Sequence, residues 1–378
     1  MDKILTIISE LKEVADYPAQ AIKKQMNATG KKAVGCLPVY CPEEIIYAAN
    51  MLPVGIWGGQ TTISKANKYF PAFACSIMQS VMELSLNGVY DDLATVIIPS
   101  PCDTLKTVVQ NWISGVPQVK CIPIVHPQMS RIEEGVIYLQ TEYERVKKEM
   151  EAISGQKITN EALTKSIEIY NQYRQTMREF TEFAAVYPEV ISPVVRHAVI
   201  KSAFFMDKAE HMAMVKELIA ELGKLPVKEW NGSKLILTGI MFEPANLIEI
   251  IEENRAAIVA DDLAHESRLF RTDVPEGNDP MERLARQWQH MKGCSLVYDP
   301  KKNRGQMIIE QVKKTGANGV VMCMMKFCDP EEFDYPILKK EMEAAGIPML
   351  YLEIDQQMQS VEQARTRIQS FAEMIANR

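Results

Sequence analysis

Short apolar runs alternate with amphipathic, mixed-charge segments along the first third of the chain. The runs are rich in β-branched residues and bounded by Gly or Pro, which is typical of buried parallel strands. They are AVGCLPVY (33–40), LPVGIWG (52–58), LATVIIPS (93–100) and KCIPIVHP (120–127). Because helical spacing fills most of the intervals, notably 70–87, the pattern predicts alternating strands and helices and therefore a parallel sheet.

The pattern changes between residues 130 and 230 and then returns. Helical spacing with mixed charge predicts long helices there, as in RIEEGVIYLQTEYERVKKEMEAIS (131–154), 160–186 and 207–223. Four further strands are predicted in KLILTGIM (234–241), AAIVADDL (256–263), GVVMCMMKFC (319–328) and PMLYLEID (348–355).

This order predicts an α/β protein with two parallel-sheet domains, helices on both faces of each sheet, and a helical segment joining them. The expected division is an N-terminal α/β domain at 1–140, a helical bridging segment at 141–231 and a C-terminal α/β domain at 232–378.

Composition narrows the class of protein. A hydrophobic content of 47%, a charged content of 24% and a net charge of −7 are those of a soluble globular chain without a nucleic-acid or anionic-membrane partner. The N-terminal MDKILTIISELKEVADYP carries charges among its apolar residues and predicts an amphipathic helix, not a signal peptide. We therefore expect a cytoplasmic protein, in which the eight cysteines are not disulfides.

Several common motifs are missing from the sequence. No G-x-G-x-x-G follows a strand, which disfavours a standard dinucleotide site, and no G-x-x-x-x-G-K-[ST] occurs, which disfavours ATP hydrolysis by this chain. Neither H-E-x-x-H nor C-x-x-C is present, so a structural zinc ribbon is excluded by spacing.

Three cysteines differ from the others in position. Cys75, Cys102 and Cys328 lie where a predicted strand ends or a helix begins, and in doubly wound domains those ends converge on one crevice. Helix N-termini also stabilise thiolates and anionic clusters. From position alone, a metal site and buried filler both remain open for this trio.

The remaining cysteines have simpler interpretations. Cys121, Cys294 and Cys323 lie in or near strands, which favours buried filler. Cys36 and Cys41 bracket LPVY, and a ligand role for that pair is the less favoured interpretation of their spacing.

Polar residues near the cysteines also have predicted roles. In KFCDPEEFDYP (326–336), Asp329 is predicted to be the N-cap of a helix and so to support the loop that bears Cys328, with Pro330 at the first helical position. The segment VADDLAHESR (259–268) either lines the crevice or caps a helix. Acidic pairs are expected to be helix-start charges, at Glu43/Glu44 and Glu331/Glu332. His126 is predicted to be a hydrogen-bonded loop residue, and surface positions are predicted for His197, His211, His265 and His290.

Several separated stretches together resemble a known family. They are GCLPVYCPEEIIYAANMLPVGIWGGQ (35–60), PAFACSIMQ (71–79), PCDTLK (101–106), VADDLAHESR, MMKFCDPEEFDYP (324–336) and QARTRIQSF (363–371). Nearly end to end, the chain resembles the β subunit of the 2-hydroxyacyl-CoA dehydratases, which are relatives of benzoyl-CoA reductase.

The resemblance implies a cofactor and partners. It implies two flavodoxin-like domains and one [4Fe–4S] cluster held by Cys75, Cys102 and Cys328, whereas Cys41 is not a ligand in the family pattern. It further implies a homologous α subunit with its own cluster, which binds most of the acyl-CoA substrate, and a homodimeric ATP-dependent iron–sulfur activator. Whether the complex binds a flavin is left open.

The implied reaction is an oxygen-sensitive lyase reaction of anaerobic amino-acid fermentation. Syn-type removal of water from an (R)-2-hydroxyacyl-CoA gives an (E)-2-enoyl-CoA by way of a ketyl radical, after one-electron activation. The chain itself would relay the electron and complete the heterodimer, with no catalytic residue assigned to it. The motifs do not identify the acyl group, although the overall likeness is greatest to the 2-hydroxyisocaproyl and lactyl types.

Two alternatives stand beside this interpretation. One is a subunit of a benzoyl-CoA reductase-like or double-cubane-cluster reductase that is driven by ATP and consumes electrons stoichiometrically. The other is a metal-free α/β binding scaffold in which the cysteines are filler.

Overall fold

Two four-stranded parallel sheets organise the chain. The computed structural model describes residues 1–37 and 39–376. Within that part, the strand order is β2-β1-β3-β4 in the first sheet and β6-β5-β7-β8 in the second. The strands are β1 (Ala33–Cys36), β2 (Leu52–Gly55), β3 (Thr95–Pro99), β4 (Cys121–Ile124), β5 (Ser233–Gly239), β6 (Ala256–Leu263), β7 (Gly319–Met325) and β8 (Met349–Ile354). The predicted α/β class with two parallel-sheet domains is confirmed.

Helices cover both sheets and connect them. They are α1 (Asp2–Asp16), α2 (Pro18–Thr29), α3 (Glu43–Ala48), α4 (Ser76–Leu86), α5 (Asp103–Gly115), α6 (Glu133–Ser154), α7 (Asn160–Val186), α8 (Pro193–Ser202), α9 (Lys208–Leu222), α10 (Ala245–Glu253), α11 (Ser267–Phe270), α12 (Pro280–His290), α13 (Arg304–Thr315), α14 (Asp329–Ala344) and α15 (Glu362–Ala376). None of these described helices combines the length and apolarity that a membrane crossing needs.

The strands form where apolar side chains are buried on both faces of a sheet. All five residues of β3 and all seven of β7 are buried, as expected for central strands covered by helices. The apolar runs in the sequence are longer than some of the strands because the loops after them are buried too. Leu37, Ile56 and Trp57, for example, belong to the largest core cluster, which also includes residues of the second sheet.

The predicted helical segment is present as α6 to α9, and the N-terminal helix packs against part of it. Ile4 and Leu11 of α1 share a buried cluster with Phe180 of α7 and Leu218 of α9. The division of the chain at 140/141 and 231/232 stays a prediction, since these contacts describe packing and not separable units.

One glycine allows the central strands of the second sheet to meet closely. Gly239 ends β5 with φ of 142°, and a Cβ atom there would lie 2.2 Å from the carbonyl oxygen of Cys323 in β7. Any larger residue would therefore separate the carboxyl ends of these two strands.

The loop after β8 joins the two α/β units beside α4. Gln356 is buried, accepts a hydrogen bond from Ser80 Oγ at 2.6 Å and donates one to the Trp57 carbonyl at 2.9 Å. Its backbone N–H donates to Ser76 Oγ at 3.0 Å. Because Ser76 is the first residue of α4, this contact fixes the second unit against the segment that carries Cys75.

Candidate functional site

The three cysteines singled out in the sequence occupy equivalent positions in the structure. Cys75 is the N-cap of α4, Cys102 is the N-cap of α5 and Cys328 is the N-cap of α14. Cys102 and Cys328 each follow the carboxyl end of a strand, β3 and β7, by three residues. Helix N-caps at that edge of a parallel sheet are where α/β proteins bind ligands.

The fold brings these thiols within electrostatic range of one another. Burial is the main reason that the pKa of Cys328 is raised well above its ordinary value, and electrostatic interactions with Glu331, Cys75 and Cys102 raise it further. Two of the thiols come from the first α/β unit and one comes from the second. The trio therefore lies where the two units face each other.

Backbone amides of the following helices point at the sulfur atoms. N–H groups of Ile77 and Met78 lower the pKa of Cys75, but burial outweighs them and raises that pKa to about 12. N–H groups of Thr104 and Leu105 act in the same direction on Cys102. Thiols with raised pKa values stay protonated at neutral pH unless a metal replaces the proton.

The spacing of the three sulfur atoms does not fit a single metal ion held by all three. The three sulfur atoms, all within the described residues, do not lie within 4.8 Å of one another. Thiolates around one tetrahedral zinc, at 2.3 Å each, would be about 3.8 Å apart. Soft thiolate donors at a wider spacing fit an iron–sulfur cluster, which is larger than one ion and accepts Cys ligands.

A buried carboxylate anchors the helix that follows Cys328. Glu331 is fully buried, with Arg268 Nη1 at 3.0 Å and Ser295 Oγ at 2.7 Å from its Oε1. Arg304 Nη2 lies 2.8 Å from its Oε2. Burial alone would raise the pKa of Glu331, but the two guanidinium groups outweigh it and hold the pKa below its usual value.

The same two arginines tie this helix to the second sheet. Asp262, in β6, lies 3.1 Å from Arg268 Nη2 and 2.7 Å from Arg304 Nε. Asp262, Arg268, Arg304 and Glu331 are each at most 4% exposed and form what we term the arginine network. Because Glu331 is three residues from Cys328, the network fixes the thiol relative to β6.

The predicted role of Asp329 needs correction. Cys328 is itself the N-cap and Asp329 is the first helical residue, and within the described part of the chain the N-cap side chain makes no capping hydrogen bond. The Asp329 side chain is exposed, because its position inside the helix turns it outward. Glu331, predicted to be a simple helix-start charge, provides the anchoring that was expected of Asp329.

Glu43 and Glu44 are also more than helix-start charges. Glu44 is buried and forms an ion pair with Arg174 of α7. Glu43 accepts a hydrogen bond from Tyr170 at 3.1 Å and lies 3.2 Å from Lys208. These contacts connect α3 to the helical segment.

The other cysteines lie outside the trio. Cys323 is fully buried in β7 as predicted, whereas Cys121, at the start of β4, is only half-buried. Cys294 is buried and accepts a hydrogen bond from Tyr40 at 3.0 Å. Cys36 and Cys41 line a separate cavity of about 90 Å³, where burial and then a hydrogen bond with Cys36 raise the pKa of Cys41.

The surface prediction for three of the histidines is wrong. His197, His211 and His265 are buried, whereas His290 is exposed as predicted. Helical periodicity predicts a surface position for His197 because the residue lies on a polar face of its helix. That face packs against Glu243 and Glu266, whose carboxylate oxygens lie 3.2 and 3.3 Å from the ring nitrogens of His197. His126 is a loop residue as predicted, but it is buried against the Trp288 ring, and neither of its ring nitrogens has a hydrogen-bond partner among the described residues.

His197, His265 and Glu266 bring their potential ligand atoms within 4.8 Å of one another. Both ring nitrogens of His197 already contact carboxylates, and Glu266 forms an ion pair with the buried Arg196. A guanidinium this close opposes a second cation, so we interpret the group as a structural ion network.

The segment VADDLAHESR fulfils the helix-capping alternative. Asp261 accepts the backbone N–H of Ser267, the first residue of α11, at 3.0 Å, whereas His265 and Glu266 line the separate cavity of Cys36 and Cys41, which is not lined by the cysteine trio. The arginine network was not predicted. Its signal in the sequence was the pair of carboxylates in the otherwise apolar β6, because buried charges need partners.

Comparison with known proteins finds a family match over nearly the whole chain. Residues 38–375 match the family model described as 2-hydroxyglutaryl-CoA dehydratase, D-component. The chain is 51% identical to the lactoyl-CoA dehydratase subunit beta of Anaerotignum propionicum, over 99% of this chain and 100% of that protein. Identity is 47% to the (R)-phenyllactyl-CoA dehydratase beta subunit of Clostridium sporogenes, over 97% and 98%. It is 29% to a benzoyl-CoA reductase subunit of Thauera aromatica, over 96% of each.

Removing the charge of Glu331 should destabilise the protein, whereas removing that of its neighbour should not. Glu331→Gln leaves two buried guanidinium groups undercompensated, at a cost of about 3–5 kcal/mol in the free energy of unfolding. Glu332→Gln changes an exposed residue and should stay within about 0.5 kcal/mol of wild type. Anaerobic urea unfolding of the two variants checks this, and equal stabilities would contradict the anchoring role.

His265 should make the protein sensitive to mild acid. Burial lowers its pKa to about 3, below the value near 6.5 of the unfolded chain, so its contribution is complete above pH 6.5 and declines as pH falls toward 3. His265→Phe, which suits the adjoining Trp57 and Phe204 rings, should remove about 2 kcal/mol of the stability difference between pH 7 and pH 5. Unfolding measured at both pH values tests this; an unchanged difference would show that His265 is not the responsible group.

Proposed function

The chain belongs to the 2-hydroxyglutaryl-CoA dehydratase D-component family, and from that premise we propose that it is the β subunit of an oxygen-sensitive [4Fe–4S] (R)-2-hydroxyacyl-CoA dehydratase. The observation that carries the proposal is the convergence of Cys75, Cys102 and Cys328 at three helix N-caps between the two α/β units. These residues would hold the cluster.

When bound, a cluster of this kind supplies a one-electron carrier. The part played by the chain is to hold and shield that carrier. The three thiolates would bind iron, the amides after Cys75 and Cys102 would stabilise their negative charge, and the arginine network would keep Cys328 in place. No residue of this chain is assigned a role on the substrate.

The proposal includes a division of labour with partners. A homologous α subunit with its own cluster would bind most of the acyl-CoA substrate, and this chain would pass it the electron needed to remove water. A separate homodimeric iron–sulfur activator would couple that electron to ATP hydrolysis, consistent with the lack of a G-x-x-x-x-G-K-[ST] motif here. Which acyl group is dehydrated is not part of the proposal.

Dehydration is favoured over net reduction by the relative similarities. The two dehydratase subunits are 51% and 47% identical to the chain, and the benzoyl-CoA reductase subunit is 29% identical. A metal-free scaffold is disfavoured because all three thiols face backbone amides at one edge, an arrangement that cysteines serving only as apolar filler do not need.

Each of the three cysteines should be needed for iron. Anaerobically purified protein should contain about four iron and four sulfide per chain, as a [4Fe–4S] cluster requires. Most of this iron and sulfide should be lost in each of the variants Cys75→Ala, Cys102→Ala and Cys328→Ala. Cys323→Ala, inside β7, is the control: it should keep its iron and lose about 1–2 kcal/mol of stability. Iron-free wild-type protein, or full iron in Cys102→Ala, would contradict the assignment.

Activity should require the complex. The isolated chain should neither dehydrate 2-hydroxyacyl-CoAs nor hydrolyse ATP, whereas adding the α subunit with catalytic activator, ATP, Mg²⁺ and reductant without oxygen should start dehydration. A panel of 2-hydroxyacyl-CoAs, followed by product analysis, makes this test. Dehydration by the chain alone would refute the division of labour, and stoichiometric electron consumption would favour the reductase alternative.

A further inference from the structure

Three phenylalanines are unusually exposed. Of the eleven in the chain, Phe73, Phe327 and Phe333 are the large exposed ones within the described residues, at 69%, 46% and 80%. Seven of the other eight are buried, and Phe180 and Phe242 are fully buried. We term these three residues the phenylalanine face.

Each residue of the phenylalanine face lies within five residues of Cys75 or Cys328. Phe73 precedes Cys75 by two residues, Phe327 directly precedes Cys328, and Phe333 lies in the second turn of α14. Because Cys75 and Cys328 interact electrostatically across the two α/β units, we infer from these positions that the three rings belong to one surface. Exposed aromatic residues gathered at one place are characteristic of protein interfaces.

Phe327 holds an unfavourable backbone conformation in presenting its ring. Its φ of 62° is in the left-handed region, which a bulky aromatic residue rarely adopts, and it occupies the third position of the turn that the Cys328 N–H closes onto the Met325 carbonyl at 3.1 Å. The turn that positions Cys328 therefore also presents the Phe327 ring, which is half exposed.

Acidic side chains stand beside the rings. Asp329 and Glu332 are exposed and have no ion-pair partner among residues 1–37 and 39–376, whereas Asp103, at the first position of α5, pairs with Lys106 at 3.0 Å and has a side chain that is 93% exposed. A protein that covers this surface would therefore be apolar at its centre and would carry Lys or Arg at its rim.

We propose that the phenylalanine face is the docking surface for the companion subunit of the heteromer. The inference rests on the proposed function, which supplies that partner. A permanent subunit is favoured over a transient electron carrier because the thiols of the trio are half exposed and a cluster there needs continuous exclusion of water and oxygen. A carrier that leaves after each encounter would uncover the face.

A surface variant and a matched control test the proposal. Phe73→Ser, Phe327→Asn and Phe333→Ser are combined, with Asn chosen because it tolerates the left-handed backbone. The control combines Ser substitutions of apolar residues that are exposed elsewhere: Val89 at 52%, Ile113 at 53% and Val227 at 67%. Each protein is titrated anaerobically with the α subunit, and association is measured by sedimentation.

The phenylalanine-face variant should raise the dissociation constant about 100-fold or more, because buried aromatic residues dominate interface energies, while the control should match wild type. Iron content should be the same in all three, since no ligand is changed. Glu332→Lys should weaken association at low salt and lose that effect at high salt. Phe333→Ser alone, on the solvent side of α14, should give a smaller loss in the same direction.

Two results would overturn the inference. One is wild-type affinity for the α subunit in the phenylalanine-face variant. The other is an intact heteromer that accepts electrons from the activator more slowly, which would assign the face to the electron donor. Iron-free wild-type protein would be a failure of the proposed function, and the iron analysis shows it separately.

Discussion

Two buried guanidinium groups set the geometry on which the site depends. Arg268 and Arg304 are removed from water and require carboxylates on opposite sides, Asp262 in the sheet and Glu331 at the start of α14. A buried charge without its partner is strongly unfavourable, so the helix start has few alternative positions. The position of Cys328, at the N-cap of this helix, is restricted in the same way.

Polar contacts next to α4 connect the first α/β unit to the second unit, which carries Cys328. Gln356 hydrogen-bonds to Ser76, Ser80 and the Trp57 carbonyl, and all of these lie close to Cys75 in sequence or space. The trio is thus held by local helix geometry at each cysteine and by a specific contact between the units. Helix capping by backbone amides alone would fix each thiol but not their separation.

The sequence predicted the strands well because each is a short apolar run covered on both faces, as in β3 and β7. It also placed the three cysteines of the trio correctly at helix starts, since strand ends and helix starts are local features. It failed where the decisive contact joins distant segments. The partners of Glu331 lie 27 and 63 residues away, and the buried position of His197 depends on carboxylates of the second unit. Helical periodicity indicates only that one face of a helix is polar. It does not indicate which side chains that face contacts.

The distribution of the trio across both units has a consequence for synthesis of the chain. Cys102 and Cys328 are 226 residues apart, so at about 5–20 residues per second a ribosome completes the third thiol roughly 10–45 s after the second. During that interval the nascent chain contains Cys75 and Cys102 but neither Cys328 nor the residues of the second sheet that complete the shared core cluster. The three thiols are therefore able to come together only after the chain has been synthesised as far as the start of α14.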